Sequence, residues 1–119
     1  MSRYGPQIAA LARRAERDRA AFDRETASPA DTTPYLHEGA GQAIWVYLES
    51  RTGGRLVRFS QAEFDALEGA LHTWLELYAA CHGVEMDVDV SMRTAAEALL
   101  ETRNIEDTAQ ILTGVPPRQ

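Results

Sequence analysis

The hexapeptide FSQAEF, residues 59–64, limits what this chain can fold into more than any other stretch. Ser60 is a favoured N-cap residue, and Glu63, three positions on, can reach back to the cap amide, the reciprocal pair of a capping box. Phe59 and Phe64 flank it where a hydrophobic staple would clasp the entering chain. Downstream, Phe64, Leu67, Leu71, Trp74, Tyr78 and Cys81 recur at three- and four-residue steps, widened by Leu75. Gly83 suits the left-handed position beyond a helix end. The spacing predicts a helix over 61–82, about 33 Å long, as the spine of the domain. Ala66, Ala70 and Leu77 form a second apolar strip. Such a helix needs two neighbours, both internal or one supplied by another molecule.

The stretch just before it, GQAIWVYLESRTGGRLVRF (41–59), reads as a β-hairpin. Ile44, Val46 and Leu48 alternate with Ala43, Trp45 and Tyr47, which predicts a strand over 42–49 with two apolar faces. Arg51-Thr52-Gly53-Gly54 reads as the turn, and 55–59 as the returning strand. After Gly83, VEMDVDV alternates Val84, Met86, Val88 and Val90 with Glu85, Asp87 and Asp89. This predicts a third strand with one acidic, wet face, or an extended connection.

The flanks read as helix and linker. Gly5-Pro6 is a helix start, and Ile8, Leu11, Ala12, Ala15 and Phe22 make a thin stripe over 6–26, interrupted near Asp18 and Arg19. Arg14–Asp18 and Arg19–Asp23 are spaced to pair with each other. Residues 27–41, with two prolines and two glycines, read as a loop or linker. Ser91 caps a helix over 92–102; Asn104, with Asp107 three residues on, restarts one to about 113, ended by Gly114 and Pro116-Pro117. The expected organisation is an Arg-rich N-terminal helix (1–26), a linker (27–41), a core (42–114) and a tail (115–119). The expected fold is α+β: a small antiparallel sheet packed on a long central helix, with an N-terminal helix and a C-terminal αα-hairpin.

Composition narrows the function classes. At 119 residues the chain suits one domain. No apolar run nears the roughly 18 residues that cross a bilayer, and MSRYGPQ lacks a signal-peptide core, so the expected location is cytoplasmic. All twelve basic residues are arginine, a bias of bacterial, GC-rich coding type. Residues 1–25 carry a net charge of +2 and residues 60–119 a net of −8. That balance points to protein partners rather than to nucleic acid.

No catalytic set converges. Glu68, His72 and Glu76 share one helix face and are weak candidates for a divalent metal, but no matching ligand pair appears in 92–113. Asp87-x-Asp89-x-Ser91 opens like a calcium loop, yet Met92 and Ala98 stand where glycine and glutamate are needed. Cys81 falls on the apolar stripe, where a thiol is inert, and Cys81-His82 has no partner at zinc spacing. His37-Glu38 is an acid–base pair in the linker, and EGAGQ (38–42) and RTGGR (51–55) lack the context of a phosphate cradle. The C-terminal helix pair has the cadence of a helix-turn-helix, but Glu106 and Asp107 at its second start would repel phosphates. No cofactor and no small-molecule ligand is inferred. The expected function is a non-enzymatic interaction or regulatory module acting as a homodimer, with Trp45, Tyr47, Ala66, Ala70 and Leu77 as interface candidates. The alternatives are a DNA-associated regulator using the C-terminal helix pair or the Arg-rich helix, and a small metal-dependent enzyme.

Overall fold

A computed structural model describes residues 3–52 and 57–117. The capping box at Ser60 forms as its chemistry requires: Glu63 N–H donates to Ser60 Oγ at 3.0 Å, and Ser60 N–H donates to a Glu63 carboxylate oxygen at 2.8 Å. The helix it launches, α3 (Gln61–Cys81), is the spine. Before it come α1 (Gly5–Ala21) and α2 (Gly41–Ser50); after it come α4 (Met92–Thr102) and α5 (Ile105–Thr113). Between α1 and α2, a 3₁₀ turn (Pro29–Asp31), an α turn (Thr32–Tyr35) and a π turn (Leu36–Ala40) run directly into α2.

The two apolar strips of α3 both find internal neighbours. α1 lies along the smaller strip, burying Ile8, Leu11 and Ala15 on one side and Ala70 and Leu77 on the other. The main strip, with Leu67, Leu71 and Trp74 fully buried, faces the π turn and α2. The α4–α5 pair closes the core over α2, and Tyr78 reaches the tail, its hydroxyl donating to the Val115 carbonyl at 2.6 Å.

Among the described residues helix accounts for 72% and strand for none, so the α+β expectation is overturned. The predicted strand 42–49 is in fact α2. Its apolar residues close helical contacts instead: Leu36, Ala40, Ala43, Ile44 and Tyr47 are buried at three- and four-residue steps, and only Gln42 and Trp45 within 42–47 are exposed. An apolar run buried on nearly every side shows the same composition whether it is helix or strand. Of the returning strand, residues 55–56, and of the turn, Gly53 and Gly54, lie outside the described residues; Val57–Phe59 form no strand. Phe59 packs its ring edge-on against Tyr4, centroids 6.1 Å apart.

The third expected strand, 84–90, has no sheet to join among the described residues, but its alternation is real. Val84, Met86, Val88 and Val90 are buried or half-buried, while Glu85, Asp87 and Asp89 are exposed. The expected i, i+4 pairs on α1 are also redirected. Arg14 donates to the Glu38 carbonyl and Arg19 to Glu76 and Thr73, while Asp18 accepts from the Trp74 indole N–H at 2.9 Å. The C-terminal helices start and stop as their caps dictate. Ser91 and Asn104 accept from the amides of Thr94 and Asp107, and Arg103 and Gly114 take left-handed conformations at the two ends.

Candidate functional site

Glu68, His72 and Glu76 each hydrogen-bond the backbone of the segment that follows α3. Glu76 Oε2 accepts from the Val88 amide at 2.9 Å. His72 Nε2 lies 2.6 Å from the Val90 carbonyl, and Glu68 Oε2 accepts from the Met92 amide at 2.8 Å. A carbonyl can only accept, so His72 must carry its proton on Nε2. The match is geometric. Four helical residues rise about 6 Å, and two extended residues advance about 6.6 Å, so one helix turn keeps step with one β repeat. The row on α3 therefore serves as a ladder of side chains in place of a neighbouring strand, running antiparallel to the segment 88–92.

The other carboxylate oxygen of Glu76 is held by Arg19 at 2.7 Å, which ties α1 into the same network. Glu76 is thus engaged through both carboxylate oxygens, Glu68 through Oε2 and His72 through Nε2. Among the described residues no group of three or more His, Cys, Asp and Glu side chains is placed to hold a metal ion. Two local signals carried the row, helical spacing of four and strand spacing of two, but their register against each other is visible only in the fold.

The interface candidates separate. Trp45 is 54% exposed, whereas Tyr47, Ala70 and Leu77 are buried. Tyr47 lies beneath the Arg51 guanidinium, 4.6 Å from its ring centroid, and borders a cavity of about 390 Å³ shared with Phe59 and Phe64. Ala66 is half-buried and lines an open apolar groove of about 390 Å³ between α1 and the start of α3. Leu100 and Ile111 are exposed large apolar side chains that periodicity alone did not single out. Each stands on the outer side of its short helix, off the stripe that defines it.

The remaining titratable candidates have structural partners. Burial pushes the Cys81 thiol up, with a smaller push from Asp31, which keeps it protonated and unreactive. His37 pairs with Glu106, linking the π turn to α5. That hydrogen bond is the main reason the Glu106 carboxyl sits below its ordinary value. Asp87 and Asp89 bind nothing among the described residues and are not brought together with other ligands.

Fold and site together define a small all-helical domain in which an extended segment is held against the central helix by a row of polar side chains. The chain belongs to the family described as Domain of unknown function (DUF8055), whose model matches residues 2–117. No curated protein and no solved structure matches the chain. Among the described residues no helix is long and apolar enough to cross a membrane.

Proposed function

We propose that this protein is a non-enzymatic, cytoplasmic interaction module that forms a homodimer through the Trp45 side of α2. The observation that carries the reading is the contrast between the two tryptophans: Trp74 is fully buried, while Trp45 leaves 54% of its surface to solvent from a helix that buries Ala43, Ile44, Val46 and Tyr47. Tryptophan is enriched among the residues that anchor interfaces, and Leu100 and Ile111 are further exposed apolar side chains, on α4 and α5. A single buried cysteine suits a reducing compartment. The engaged state of Glu68, His72 and Glu76 favours this reading over a metal-dependent enzyme.

Sedimentation equilibrium over a wide concentration range tests it. The wild type should approach twice the 13.2 kDa of one chain. Trp45→Ala should keep its far-UV spectrum but weaken association by about 2 kcal/mol or more, roughly thirtyfold. A wild type that stays at the mass of one chain, or an alanine variant that dimerises equally well, removes the proposal.

A further inference from the structure

We propose that the segment 84–90 is a docking edge for an extended, basic segment of another protein, which adds to it as a β-strand. Its geometry is that of a strand with one edge used and the other open. On the inner side, alternate residues Val88, Val90 and Met92 are held by Glu76, His72 and Glu68. In an extended chain the intervening residues direct their amides and carbonyls the opposite way. Of the residues in that opposite register, Ser91 gives its carbonyl to the Ala95 amide, whereas Asp89, Asp87 and, further back, Glu85 are exposed and their main-chain groups form no hydrogen bond among the described residues. A row of unpaired backbone donors and acceptors on a fixed extended segment is the template used in strand addition. Here the helix does what a sheet normally does, fixing the strand so that little ordering remains for a partner to impose.

Charge chooses the occupant. The three outward side chains are all carboxylates at two-residue spacing, so an incoming strand with arginine or lysine at every second position sets a cation against each. A second copy of the same segment would set carboxylate against carboxylate, so self-pairing at this edge is disfavoured. The charge of −8 over residues 60–119 adds long-range attraction for a basic segment. Beside the start of the edge lies a recess of about 230 Å³, bordered by Phe22, Leu77 and Met86 and also by Arg19, Arg24 and Glu76. The proposal is independent of self-association through Trp45, which lies on another element and is read by sedimentation.

Amide exchange and chemical shifts, followed by NMR on the full chain, provide the test. The probes are three eight-residue peptides: one alternating arginine and valine, one with the same residues in two blocks, and one alternating glutamate and valine. The alternating basic peptide should slow exchange at the Asp87 and Asp89 amides at least tenfold at saturation, and should bind at least tenfold more tightly than the block peptide. The acidic peptide should not bind. The doubly substituted D87R, D89R variant, altered only at exposed positions, should reverse the preference between basic and acidic alternating peptides. Equal binding of the alternating and block peptides would overturn the proposal. So would binding without added protection at Asp87 and Asp89, or no binding of the alternating basic peptide at millimolar concentration.

Discussion

Trp74 shows how tightly single residues are constrained in this fold. Its indole is fully buried, donates to Asp18 and lies 5.7 Å from the Arg14 guanidinium carbon. A Cβ added at Gly39 would meet three ring atoms of Trp74 at 2.5–2.8 Å. The glycine that made residues 27–41 look like a linker is therefore a packing residue, small because a ring lies against the backbone. Gly39→Ala should lower the unfolding free energy by about 1–3 kcal/mol, the range for overpacked cores, as read by the denaturant midpoint at unchanged slope. A variant as stable as the wild type would mean that the π turn and the indole are not in contact. Asp18, which looked like an interruption of the apolar stripe on α1, is the acceptor that allows an indole N–H to be buried. Neither role could be read from local pattern, because each partner lies more than thirty residues away.

At the scale of elements, what was legible is what short-range chemistry decides. The caps at Ser60, Ser91 and Asn104 and the stops at Arg103 and Gly114 involve neighbours within a few residues, and the helices they bound were readable from sequence. α2 was not, because AIWVYLES is apolar on nearly every side and its helical partners Leu36 and Ala40 lie across Gly39 and Gly41, which broke the pattern. The alternation of 84–90 predicts its buried and exposed sides, and the segment is the extended connection of the two expected forms, its neighbour a helix and not a sheet. The joint between the π turn and α5 belongs to this scale. A hydrogen bond from His37 holds the Glu106 carboxyl below its ordinary value of 4.5, so the pair stabilises the fold above that pH, and the contribution is lost as pH falls through the lowered value. Both side chains are about half exposed, so the effect is small, under about 1 kcal/mol. Calorimetry of the wild type and Glu106→Gln should show a stability gap near neutral pH that closes as the pH falls below 4.5. A gap that widened on acidification would contradict the pairing.

For the whole molecule, the result is a helical slab, 43 × 31 × 20 Å, whose thinnest dimension accommodates about two helix layers. α3 sits between α1 and the α2 side, and its third face carries the polar row that holds 88–92. The acids and imidazole in helical register on α3 are thereby engaged with backbone. One polar atom of each takes the place of a neighbouring strand. Trp45 and the outer edge of 84–90 are then the places where the fold leaves recognisable chemistry unused. The arrangement rests on the side-chain ladder, and native-state hydrogen exchange resolved by residue examines it most directly. The amides of Val88 and Met92 should exchange slowly, while those of Asp87 and Asp89 exchange fast. Glu76→Gln and Glu68→Gln, which weaken the acceptor without changing its shape, should speed Val88 and Met92 respectively and leave the rest of the helices as they were. Uniformly fast exchange from 84 to 92, or equal protection of all four amides, would contradict the account.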